Sequence, residues 1–318
     1  MIQFYKKRTL GEIVSDTFNF LKIYGKNFFK NYLVINGLLL ILMMILFVVG
    51  LRDIIGSFMF GEGPEGNYIE EYITQNPVLI VAVVVLMFLI FMVAMVINYS
   101  YPVLYIKRLS ETGGTIQLQD ILSDIKKNTV RIFIYFLGIT FIVLPFAFLV
   151  MAISYILILI LIGLFLMMIV MPFIMNVINL TLFDYLNTQK GFFSSLSYGL
   201  RSQFSYQHHR DGSPFWKYIG STLVIYIIVQ IVASIFTTIP MIFIFGYKII
   251  FPTYDSIEGE ESMFGLMVLI LYSIALIISF IINNIIYIAT GFIYYDSRTD
   301  LHKKIDLSEI ESIGKNED

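Results

Sequence analysis

Residues 132–183 read IFIYFLGITFIVLPFAFLVMAISYILILILIGLFLMMIVMPFIMNVINLTLF, 52 residues without one Asp, Glu, Lys, Arg or His. A single helix of that length would be roughly 80 Å long. The hydrocarbon core of a bilayer is only about 30 Å thick. The run therefore predicts two membrane spans joined by a short apolar reversal between about Ala147 and Ile160. No turn residue fixes that reversal, and Pro145 reads as a kink or as part of the turn.

Other uncharged runs extend the pattern to six spans, at about 32–51, 77–106, 132–152, 157–183, 218–245 and 263–295. Composition agrees: 58% of residues are hydrophobic and only 14% are charged, against roughly 25% charged in a soluble domain. The fold class predicted is all-α, a polytopic membrane protein of six transmembrane helices with cytoplasmic or interfacial amphipathic helices. Residues 1–31 form an amphipathic segment, 32–295 the transmembrane domain and 296–318 a tail. The N-terminal residues do not read as a cleavable signal peptide, because Lys6, Lys7 and Arg8 lead into a mixed polar segment. With no cysteine in the chain, disulfides, thiolate metal sites and cysteine nucleophiles are excluded. The net charge of −2 gives no reason to expect nucleic acid as a partner.

Charge sets the expected orientation. Segments 1–31, 107–131, 184–217 and 296–318 hold 19 of the 21 Lys and Arg residues, whereas loops 52–76 and 246–262 hold two, beside nine acids. By the positive-inside rule both termini are cytoplasmic.

Each pair of spans follows a related amphipathic segment. Leu10-Gly-Glu-Ile-Val-Ser-Asp16 precedes the first, Leu118-Gln-Asp-Ile-Leu-Ser-Asp124 the second, and a fainter Phe193-Ser-Ser-Leu-Ser-Tyr198 the third. This predicts a threefold pseudo-repeat over 10–106, 118–183 and 193–295. In the first segment Leu10, Ile13, Val14, Thr17, Phe18, Leu21, Tyr24 and Phe28 keep helical spacing, with Lys22, Lys26 and Lys30 as a basic ladder. The favoured reading is a helix in the headgroup layer, its lysines toward anionic lipid. The alternative is a cytoplasmic helix packed on the protein itself. Lys22, Lys26, Lys30, Lys126, Lys127 and Arg201 are the expected lipid or partner contacts.

No predicted span carries an ionisable side chain from the Asp, Glu, Lys, Arg and His set. Ion-coupled transporters and proton relays usually place such groups at membrane depth. The polar residues there are amides and hydroxyls. Asn176, Asn179, Gln230, Asn283 and Asn284 form the candidate intramembrane cluster, read first as inter-helix hydrogen bonding and second as a pocket for a solute or headgroup. His208-His209 does not offer the three or four converging ligands of a zinc site. No catalytic set, cofactor motif or metal site is legible. Tyr294, Tyr295, Asp296 and Arg298 end the last span, where they read as an interface lock.

Leu10-Gly11-Glu12-Ile13 with Asp16, Phe18 and Leu21, then Leu196-Ser197-Tyr198-Gly199-Leu200 with Phe215-Trp216-Lys217, then Tyr294-Tyr295-Asp296-Ser297-Arg298, occur in that order. In these residues the chain resembles the bacterial glycerophosphoryl diester phosphodiesterase membrane-domain family, the YciC-like six-span inner-membrane proteins. Arg201-Ser202 and the insert holding His208-His209 depart from the shorter loop usual there. The resemblance implies a bacterial cytoplasmic membrane. It does not imply the phosphodiesterase activity, since a (β/α)8 barrel of about 250 residues has no room here. The expectation is a non-enzymatic scaffold or accessory subunit of a bacterial envelope assembly, without cofactor, that binds membrane lipid and a protein partner or a second copy of itself. The rival is a transporter or lipid-handling protein with an amide-lined cavity. Single cysteines introduced at Glu65, Lys126 and Asp255 test the topology. Impermeant thiol reagent outside intact cells should label the first and third only, and outside labelling at Lys126 would refute it.

Overall fold

The computed structural model describes residues 2–60, 77–205, 213–250 and 260–300. The acidic loops at 61–76 and 251–259, His208-His209 and the tail beyond 300 lie outside the described residues. The helices are α1 (Leu10–Phe60), α2 (Pro77–Thr112), α3 (Leu118–Gly138), α4 (Leu144–Ile156), α5 (Ile162–Thr188), α6 (Phe192–Arg201), α7 (Phe215–Ile250), α8 (Glu260–Ile282) and α9 (Asn284–Ser297). Among the described residues there is no strand. Six helical stretches are long and apolar enough to cross a membrane. The chain is thus an all-α protein with six candidate spans.

Local sequence explains the boundaries. Thr9 and Glu12 form a capping box: the Thr9 amide donates to the Glu12 carboxylate at 2.6 Å and the Glu12 amide to the Thr9 hydroxyl at 3.3 Å. Between α3 and α4 the backbone widens into a π-turn over Ile139–Val143. Pro145, in the first turn of α4, lacks the N–H a regular helix would need there. The reversal between spans three and four falls at the late edge of the predicted window and just beyond it. A 3₁₀ turn covers Leu157–Ile160, and Leu161 takes a left-handed φ of 63°. Gly163 closes this hairpin, because a Cβ there would run into the Ser154 carbonyl and the Leu157–Ile158 peptide.

The described chain forms two compact units, residues 1–32 with 99–228 and 284–318, and residues 33–98 with 229–283. In the second unit, apolar side chains such as Leu38, Val49, Val78 and Phe245 are exposed, as a lipid-facing surface requires. Small residues, Ala94, Ala233, Ser273 and Ala275, are among those buried, which allows close helix approach without a hydrophobic drive.

The first unit also exposes apolar side chains, such as Phe141, Phe146 and Leu159, and adds a buried centre. Residues 101–106 of α2, 179–186 of α5 and 286–297 of α9 are buried on every side. A helix buried all round belongs at the centre of a domain. These are the ends of the three return spans, and they meet one another. The Ser110 and Tyr295 hydroxyls are 2.8 Å apart, the Tyr99 and Tyr287 rings 4.8 Å, and Phe183 stacks on Tyr294 at 5.4 Å. All three helices converge at Gly291, where an added Cβ would lie 2.8 Å from Ile106 Cδ1 and 3.0 Å from Phe183.

Amphipathic helix starts surround this centre. On α1, Ile13, Thr17, Phe20, Phe28 and Tyr32 are fully buried. Phe20 packs edge-on to Tyr105 and Phe292, and Phe28 to Tyr101 and Tyr105. One face of this segment is thus covered by protein while Leu10 and Phe18 stay exposed, and the helix runs unbroken into the first span. Lys22, Lys26 and Lys30 are exposed on the other side. The fourth residues of α1, α3 and α6 are Ile13, Ile121 and Ser195, each 0% exposed. That register starts the third unit at Phe192, one residue before the sequence alignment. The Asp pairs also correspond: Asp16 accepts from Arg8 Nε at 2.9 Å and Asp124 from Arg108 Nε at 3.0 Å. The third unit departs, since α6 is separated from α7 by residues 202–214.

Gly291→Val should lower stability by about 1–3 kcal/mol through overpacking, seen as a lower melting temperature of the detergent-solubilised protein. Gly11→Ala, where the added carbon meets nothing within 4 Å, should leave it unchanged. A Gly291→Val protein that melts like the parent would refute the convergence.

Candidate functional site

The C-terminal carbonyls of α5 draw cations. Lys107 Nζ donates to the Leu186 carbonyl at 2.9 Å, and Arg131 donates to Tyr185 and Lys190 carbonyls at 2.6 and 2.9 Å. Arg298 grips Asp300 with two 2.9 Å bonds and the Tyr294 hydroxyl with one of 2.8 Å. The basic residues of these segments thus also cap helix ends.

Asp296 is the deepest charge, at 0% exposure. Its carboxylate accepts from the Arg8 backbone N–H at 2.6 Å, Lys217 Nζ at 2.6 Å and the Tyr218 hydroxyl at 2.5 Å. Lys217 also donates to the Arg8 carbonyl at 2.9 Å. One carboxylate therefore ties the N-terminal segment ahead of α1, the start of α7 and the end of α9. Burial pushes the Arg8 guanidinium below its usual range, against the pull of Asp16, and its remaining donors bond the Phe4, Lys6 and Gln3 carbonyls.

Beside this knot, α6 packs antiparallel along α5. Gly199 sits against Val177 and Thr181, and the Gln203 amide donates to the Phe173 carbonyl at 3.4 Å. A Cβ at Gly199 would lie 2.9 Å from the Val177 carbonyl, so only glycine permits this approach. The outward polar face of α6 lines a cavity of about 440 Å³ with Lys190, Ser194, Ser197, Tyr198, Arg201, Ser202, Ser205 and Ser297. Among the described residues, two cations and six hydroxyls line it and no acid does. Tyr198 shares a short hydrogen bond with Ser297. Burial raises the Tyr198 phenol well above its ordinary range, so it stays protonated. A second cavity, about 260 Å³, lies between α5 and α7 and is apolar, lined by Met167, Met168, Met171, Pro172, Met175, Leu223, Tyr226 and Ile227.

Of the residues expected from sequence, Arg201 lines the polar cavity, while Lys126 and Lys127 are exposed on α3. The amide cluster is divided between units. Asn176, Asn179 and Asn284 are buried in the first, whereas Gln230, exposed, and Asn283, at the break between α8 and α9, belong to the second. Asn176 accepts from the Thr222 hydroxyl at 2.8 Å and donates to the Tyr218 carbonyl at 3.4 Å, which ties α5 to α7. Sequence reading missed the serines of the cavity. Their signal was present: Ser194, Ser197, Tyr198, Arg201, Ser202 and Ser205 recur at helical steps of three and four. Among the described residues, no group of three His, Asp or Glu could hold a metal ion. No protein-family model, curated protein or solved structure matches the chain.

Asp296→Ala leaves the Lys217 ammonium without its carboxylate and should cost about 3–5 kcal/mol. Asn176→Ala removes two inter-helix bonds and should cost about 1–2 kcal/mol. Thermal unfolding in one detergent measures both, and equal losses would contradict the ranking.

Proposed function

We propose that the protein is a non-enzymatic scaffold or accessory subunit of a bacterial inner-membrane assembly, with both termini cytoplasmic, that binds membrane lipid and a protein partner. The observation that carries this reading is the filled centre of the first unit. Alternating access needs an element with two arrangements, and a core closed at Gly291 by direct contact of three helices offers no internal route there. Asn176, the amide expected to line a transport cavity, is engaged in helix packing. What the unit does present outward is charge: Lys22, Lys26 and Lys30 on α1, Lys126 and Lys127 on α3, and Arg201 on α6. Such exposed cations suit anionic headgroups or an acidic partner surface. The sequence resemblance to six-span inner-membrane proteins points the same way.

Purification of the tagged full chain in mild detergent tests the proposal. A reproducible stoichiometric protein partner together with retained lipid is expected. A monodisperse protein that carries neither would overturn it.

A further inference from the structure

The polar cavity on α6 is more specific than a basic surface. Apart from Tyr198 and Ser297, whose hydroxyls bond each other, it offers Lys190, Arg201 and four serine hydroxyls, and among the described residues no acid lines it. Lys190 stands just before the helix and Arg201 in its last turn, so two cations bracket a row of hydroxyls. Ser202, only 6% exposed, lines the same cavity, and its hydroxyl has no hydrogen-bond partner among the described residues. A buried hydroxyl left unbonded costs free energy that a ligand oxygen would recover. A tetrahedral phosphate, with several charged acceptor oxygens, matches convergent ammonium, guanidinium and hydroxyl donors. The volume, about 440 Å³, falls in the range of small-molecule sites.

The neighbouring face of α6 indicates where that phosphate comes from. Phe193 and Leu200 are exposed on it and Phe204 just beyond its end, with Trp216 exposed at the start of α7. Aromatic side chains exposed beside cations mark the headgroup layer. We infer that the α6 cavity binds the phosphate of an anionic membrane lipid through Lys190, Arg201 and the Ser194–Ser205 hydroxyl face. This names the lipid contact of the scaffold reading and rests on it.

Native mass spectrometry of the full-length protein in mild detergent, titrated with phosphatidylglycerol, tests the inference. Lys190→Gln/Arg201→Gln should weaken lipid retention by about tenfold or more, and Ser202→Ala by several-fold, with the melting profile as a control for folding. Lys303→Gln/Lys304→Gln removes the same charge elsewhere in the chain and should leave retention nearly intact. Phosphatidylcholine should bind more weakly than phosphatidylglycerol. Inorganic phosphate distinguishes the sources. Failure of millimolar phosphate to displace the lipid assigns the site to a headgroup. Displacement that depends on Lys190 and Arg201 assigns the cavity to free phosphate and overturns the lipid assignment. Equal losses for both double variants, or none for the cavity variant, would overturn the cavity proposal. Lipid that is retained but insensitive to these substitutions would leave the scaffold reading standing, whereas a lipid-free, partnerless protein would defeat that reading itself.

Discussion

The contact of three return helices at Gly291 is the constraint on which the first unit depends. Each helix brings a wide buried surface, Tyr101–Ile106, Asn179–Leu186 and Ile286–Ser297, and only a residue without a side chain lets them close. Helices α1, α3 and α6 pack against them, Phe28 on Tyr105, Tyr135 on Tyr185 and Tyr198 on Tyr294. The fully buried fourth residue of each start, Ile13, Ile121 and Ser195, marks the shared register. Burial of this apolar surface drives association only where water is the alternative solvent. Exposed apolar side chains occur in both units, at Phe141, Phe148 and Leu159 in the first and at Leu38 and Val49 in the second, where small residues such as Ala94 and Ala275 are buried.

Charge then fixes what packing leaves open. Asp296 is buried beside Lys217 and bonded to the Arg8 backbone, so the pair is weak as a source of stability but costly to break. It joins positions 288 residues apart. The Lys and Arg residues between the spans also have structural roles: Lys107 and Arg131 bond the terminal carbonyls of α5.

The spans were legible because an uncharged run of adequate length has few other readings. The hairpin reversal was not, because it uses Leu161 in a left-handed conformation rather than Gly or Pro, and its true marker, Gly163, lies two residues later. The first amphipathic segment was legible as a helix but not in its surroundings. Periodicity shows that a face is apolar, and it does not show whether lipid or protein covers it. Gln230 was grouped with buried amides on residue type alone, and its exposure shows the limit of that reasoning. The serine face of α6 lay in the sequence as spacing, while the Lys190 and Ser297 that complete the cavity come from other parts of the chain.

The central claim is that the return helices form one rigid core rather than a moving gate. Amide hydrogen exchange of the full chain in lipid nanodiscs tests it most directly. Segments 101–106, 179–186 and 286–297 should exchange slowest in the first unit and open together, well behind α6. Exchange of any one of the three on the timescale of α6, with the others still protected, would contradict the account.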